Sequence, residues 1–274
     1  MCQLLGMNCN VPTDICFSFT GFQARGGLTD VHRDGWGIAF LEGKGVRQFL
    51  DHEASAHSKI AELVKSYPIK SKNVISHIRK ATQGEVALEN THPFLRELWG
   101  YNWIFAHNGN VTNFNPELDG SFLPVGCTDS EKIFCWFMQE LRNKFGHTFP
   151  GDVEVFETIT ELSKQVGSHG EFNFLLSNGA IQLAHCSTNL AYIIRKAPFN
   201  TARLKDKEIT VDFRTVTTEK DQVALIATIP LTDNEDWTTI ELGTLILFKD
   251  GAIGNQAKTV SGPAAKILKS ASKI

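Results

Sequence analysis

Apolar residues in the first half of the chain fall in short runs broken by glycine-rich turns: CQLLGM (2–7), GWGIAFL (35–41), GVRQFL (45–50), NVISHI (73–78) and NWIFAH (102–107). Runs this short, rich in β-formers, predict strands rather than helices. Helical periodicity marks three other stretches, 55–67, 129–145 and 152–166. The second carries a start signal, because Thr128 or Asp129 can cap it and Glu131 gives it an acidic first turn. After Gly167 strands return at 172–177, 180–186, 190–195, 222–228 and 244–249. The SNGA turn (177–180) predicts a hairpin, since Asn-Gly accepts the positive φ angles of a type I′ turn. Strands from both ends of the chain with a few helices make an α+β fold, expected as one domain over 1–254 followed by a basic C-terminal tail, 255–274.

Composition narrows the class. With 42% hydrophobic and 21% charged residues the chain can bury a sizeable core. A net charge of −3 supplies no basic footprint for nucleic acid. No apolar run reaches the length of a membrane span and the N-terminus has no export signal, so the expected address is the cytoplasm. Six cysteines (2, 9, 16, 127, 135 and 186) show neither CxxC pairs nor a dense framework, which predicts free thiols. Cys9, Cys16, Cys135 and Cys186, in apolar surroundings, read as core residues.

Four positions carry candidate chemistry. Removal of Met1 would place the Cys2 thiol and a free α-amine in one residue, so that nucleophile and base come together. Arg79 follows strand NVISHI, where its planar fork could grip a carboxylate. Strand NWIFAH ends in His107-Asn108-Gly109-Asn110, and the Asn108 amide with the Gly109 N–H offers two donors of the kind an oxyanion needs. Asp129 opens a helix, where it could cap or bind an ammonium. Taken singly, each has an ordinary structural reading: a buried thiol, a salt-bridged arginine, a plain turn, a helix cap. His32, His77, His92 and His107 with Cys127 raise a metal site, but none has metal-ligand spacing, so no metal and no cofactor is expected. His77 and His107 read as structural histidines with satisfied ring nitrogens.

The order of these motifs adds what each lacks alone. Cys2, DGWGIAF (34–40), HIRKATQG (77–84), ENTHPF (89–94), FAHNGN (105–110) and TDSEK (128–132) together resemble the class II glutamine amidotransferases, a branch of the N-terminal nucleophile hydrolases. The nearest likeness is to small stand-alone glutaminase-like proteins. The resemblance implies a four-layer αββα sandwich of two antiparallel sheets between helices. It also implies roles: Cys2 as nucleophile with its own α-amine as base, and Asn108 and Gly109 as oxyanion hole. Arg79 and Asp129 would hold the substrate α-carboxylate and α-ammonium, with Thr82 and Gln83 on the substrate loop. Lys80 and Gln83 depart from the aromatic residue and histidine that the synthases of the family carry. The implied reaction is cleavage of the γ-amide of glutamine, or of a γ-glutamyl compound. Three readings stay open: the glutaminase part of a complex with an ammonia-accepting protein, a free-standing γ-glutamyl hydrolase, and an idle glutamine-binding or regulatory subunit. A homo-oligomer is also open.

Overall fold

A strand covered on both faces needs apolar side chains at every position, and therefore reads as a continuous run rather than an alternation. Strand β1 (Gln3–Thr13) is built this way, sending Leu5, Met7 and Cys9 into one apolar cluster and Leu4 into another. Every other residue along a strand faces the same side. The computed structural model describes residues 2–259. In it β1 is central to a seven-stranded sheet, ordered β13 (Thr238–Thr239), β9 (Ala191–Lys196), β12 (Gln222–Ala227), β1, β4 (Ser71–Ile78), β2 (Trp36–Glu42) and β3 (Gly45–Asp51). The six-stranded second sheet runs β15 (Ala252–Lys258), β14 (Thr244–Lys249), β8 (Ile181–Cys186), β7 (Gly170–Ser177), β6 (Tyr101–Val111) and β5 (Phe94–Leu98). Pairing in both is antiparallel, and β10 (Thr201–Arg203) with β11 (Thr210–Asp212) forms a separate small ribbon.

Three apolar clusters define the layers. Phe19 and Phe22 of α1 (Cys16–Ala24) and Ala61 and Val64 of α2 (Lys59–Ser66) pack on Leu5, Met7, Ile38 and Phe40 of the first sheet. Leu4, Ala39 and Ile75 meet Ile104, Ala106, Leu175 and Ile246 between the sheets. Beyond the second sheet, Trp103, Phe105, Phe172 and Phe174 pack on Phe134 and Phe137 of α3 (Asp129–Phe145) and on Ile159 and Val166 of α4 (Asp152–Gly167). The result is an αββα sandwich in which β1, which Cys2 directly precedes, and β6, which carries Asn108, come from facing sheets.

Several expectations change in detail. Helix α1 has no counterpart among the expected elements, because CFSFTGFQA buries Ser18, Phe19, Gly21, Phe22, Gln23 and Ala24 and lacks the polar face that periodicity detects. Helix α2 begins only at Lys59, where the Ser58 hydroxyl accepts from the Ala61 N–H. The hairpin between β7 and β8 forms, but not as type I′: only Gly179 has positive φ, and the Asn178 carboxamide instead accepts from the Ala180 and Ile181 N–H groups. Residues 255–258, expected to belong to the tail, pair with β14 instead; residues 260–274 of that expected tail lie outside the described residues. Cys9, Cys135 and Cys186 are buried, whereas Cys16 is only half-buried at the start of α1.

Candidate active site

Register brings Cys2 to Arg79. Because β1 and β4 run antiparallel with Gln3 opposite Ile78, one further step places Cys2 beside the residue that leaves β4. The thiol is buried and held by a single backbone residue: the Lys80 N–H donates to Sγ at 3.2 Å, and the thiol donates to the Lys80 carbonyl at 3.3 Å. Burial pushes the Cys2 thiol pKa up; the Lys80 hydrogen bond and the Arg79 charge oppose this, and the Asp34 carboxylate adds to it. The resting group is a thiol rather than a thiolate.

Arg79 is 3% exposed, and its guanidinium donates to three carbonyls of the loop it begins, Glu85 at 2.8 Å, Gln83 at 3.0 Å and Gly84 at 3.1 Å. Among the described residues no carboxylate lies within ion-pair distance of it. Thr82 is exposed on the same loop. Gln83 crosses to the end of β6, its amide donating to the Asn110 side chain and to the Val111 carbonyl.

The His107–Asn110 segment is not a turn: β6 continues to Val111 and pairs with β7 throughout. Gly109 is required by that pairing, because a Cβ there would lie 1.9 Å from the Glu171 carbonyl oxygen. Asn108 is fully buried and donates through Nδ2 to the Thr228 hydroxyl at 3.3 Å, while its own Oδ1 has no partner among the described residues. The same hydroxyl accepts from the Leu4 N–H at 2.9 Å, and Thr228 N–H returns a bond to the Leu4 carbonyl. Thr228 therefore ties Asn108, on one sheet, to the strand end that carries Cys2 on the other. No local signal marks Thr228, which simply ends an apolar run.

Helix α3 is capped by Thr128, whose hydroxyl accepts from the Glu131 N–H, so Asp129 is released from capping. Its carboxylate instead accepts from the Val111 N–H at 2.9 Å and has no cationic partner at ion-pair distance among the described residues. The four segments thus form one contiguous set: Cys2 on Lys80, the Arg79 loop on Asn110 and Val111 through Gln83, and Val111 on Asp129.

The histidines lie behind this set. His107 sits between the Ser130 hydroxyl (2.8 Å) and the Glu171 carbonyl (3.1 Å); the carbonyl can only accept, so Nε2 carries the proton. His77, expected to be satisfied in the same way, has no hydrogen-bond partner for either ring nitrogen among the described residues and lies against His92, with centroids 4.3 Å apart and the rings tilted by 38°. Among the described residues no three His, Cys, Asp or Glu side chains converge as metal ligands. Burial pushes His77 down to about 3 and His185 to about 4. The unfolded chain takes up protons below about 6.5, which the folded protein refuses, so stability is complete above that pH and declines as pH falls toward 4 and then 3. The urea midpoint is expected to be lower at about pH 5 than at about pH 7; an unchanged midpoint would contradict the neutral burial of these rings.

Comparison with known proteins gives the family and the fold. The family model for glutamine amidotransferases class-II matches residues 1–272. A Haemophilus influenzae protein called "Putative glutamine amidotransferase" is 56% identical over 252 residues, covering 92% of this chain and 85% of that one. The crystal structure of a "predicted glutamine amidotransferase" from Pseudomonas aeruginosa is 45% identical with a TM-score of 0.74, covering 92% of this chain and 98% of that one. The glutamine phosphoribosylpyrophosphate amidotransferase of B. subtilis, at 17% identity and TM-score 0.51, shares the fold over 95% of this chain and 50% of its own. The chain belongs to the class II glutamine amidotransferases, a family that hydrolyses the amide of glutamine on an N-terminal nucleophile hydrolase fold. No helix among the described residues is long and apolar enough to cross a membrane.

Proposed function

We propose that the protein is an amidohydrolase that cleaves the γ-amide of glutamine or a γ-glutamyl compound through a thioester on Cys2. The observation that carries this reading is a buried thiol hydrogen-bonded to the residue that follows Arg79, with the Arg79 loop linked through Gln83 and Val111 to the Asp129 carboxylate; neither the guanidinium nor that carboxylate has an ionic partner among the described residues. An α-amino acid presents the complement, a carboxylate for Arg79 and an ammonium for Asp129. Gln83, bridging the Arg79 loop to β6, and Thr82 beside it form the loop wall of the substrate site.

Because the thiol rests protonated, attack requires a base, and after removal of Met1 the α-amine of Cys2 is the nearest one. Sulfur bonds to the δ-carbon as the thiol proton passes to the amine. The carbonyl electron pair moves to oxygen, where the Asn108 Nδ2 and the Gly109 N–H receive it. Collapse expels ammonia or an amine, which takes the proton from the α-ammonium. Water then attacks the thioester, releasing glutamate and restoring the thiol. The ammonia is available to an acceptor protein.

The test is intact-mass spectrometry of processed protein quenched during incubation with glutamine and, separately, with γ-glutamyl peptides. A gain of about 129 Da on the peptide that begins with Cys2, the mass of a glutamyl group in thioester linkage, is expected. Glutamine binding with neither adduct nor glutamate release would instead indicate an idle binding subunit.

A further inference from the structure

Resting on that functional reading, a second residue enters the site. Two consecutive peptide planes, 79–80 and 80–81, touch the Cys2 sulfur, and each is gripped on its opposite edge by Asp34. In the first, the Arg79 carbonyl accepts from the Asp34 N–H at 3.2 Å while the Lys80 N–H donates to Sγ. In the second, the Ala81 N–H donates to the Asp34 carboxylate at 2.7 Å while the Lys80 carbonyl accepts the thiol proton. A trans peptide is planar, with its N–H and C=O on opposite edges, so holding one edge aims the other. Among the described residues the cis bonds are His92–Pro93 and Ala197–Pro198 only, which leaves both of these planes trans.

We infer that Asp34 is a positioning residue, acting through the 80–81 peptide to set the direction of the Cys2 sulfur and its proton. The two grips are separable. The Asp34 N–H belongs to the main chain and survives substitution, and the Arg79 N–H bond to the Gly35 carbonyl at 2.8 Å keeps the two segments together. Loss of the carboxylate frees only the 80–81 plane. Asp34 has no salt bridge among the described residues, so its one side-chain hydrogen bond is the contact under test.

Asp34→Ala is expected to lower kcat roughly 10- to 100-fold with little change in KM, since misdirection of a reacting atom costs this much while the groups that grip the amino-acid ends are untouched. Asp34→Asn keeps an oxygen acceptor for the Ala81 N–H and is expected to recover most of that loss. Alkylation of Cys2 by iodoacetamide, mapped by peptide mass spectrometry, reads the thiol without turnover. It is expected to quicken several-fold in Asp34→Ala, which loses both the fixed acceptor of the thiol proton and a nearby negative charge. Wild-type alkylation rates in a folded Asp34→Ala protein, or an Asp34→Asn enzyme as slow as Asp34→Ala, would overturn the inference. If the wild-type protein turns over no γ-glutamyl substrate, the functional reading fails, and the alkylation rates still decide the positioning role.

Discussion

Cys2→Ala is expected to reduce glutamine hydrolysis to the background rate while leaving the fold intact. The substitution removes one sulfur just before β1, where the Cys2 side chain hydrogen-bonds, among the described residues, with Lys80 alone, so packing between the sheets is little affected. Chemically everything is lost, because the remaining donors can polarise a carbonyl but have no atom to attack it. Cys2→Ser is the sharper variant. Its hydroxyl fits the same pair of Lys80 contacts, yet it is a far weaker nucleophile when its base is an α-amine that ordinarily titrates at about 8. A Cys2→Ala protein that hydrolyses glutamine at the wild-type rate would remove the basis of the mechanism.

The second large effect belongs to Arg79. Truncating one partner of a desolvated charge pair costs about 2–5 kcal/mol, roughly 30- to 5,000-fold in kcat/KM, and Arg79→Ala is expected to show this chiefly as a raised KM. Because the same guanidinium holds the Gln83, Gly84 and Glu85 carbonyls, part of the loss comes from a loosened loop. A substrate analogue without the α-carboxylate separates the two. Wild-type enzyme should strongly prefer glutamine to 4-aminobutanamide, and Arg79→Ala should not, since a partner already removed cannot discriminate. Full discrimination by the variant would mean that the carboxylate is bound elsewhere. Arg79→Lys is not expected to rescue, because an ammonium on a flexible stem cannot satisfy three carbonyls and a carboxylate together.

Much of this architecture was legible along the chain. Helix α3 is found where its periodicity and its Thr128 cap place it. Strands β2, β8, β12 and β14 match their apolar runs to within a residue or so, because strands buried along nearly their whole length leave few positions for polar residues. The opposite case is α1: a helix set against the first sheet on one side and Leu204 on another buries most of its residues, and no periodic contrast survives to announce it. The HNGN segment misleads for a related reason. Asn-Gly favours turns as an isolated dipeptide, but here β7 supplies a partner strand, and Gly109 is present because that partner's Glu171 carbonyl lies too close for any side chain.

By itself the sequence determined which residue types stand at Cys2, Arg79, Asn108 and Asp129, their order, and the strands and helix that deliver them. Those are local properties, written in spacing and propensity. Only the tertiary structure decided that Thr128 rather than Asp129 caps α3, that Thr228 links residues from facing sheets, and that Asp34 grips the planes on which the sulfur rests. Leu4 and Thr228 are 224 positions apart, and Asp34 and Ala81 are 47 apart. Contacts of that range arise when sheets pack and loops cross, and a hydrogen bond between such positions leaves no trace in the residues around either end.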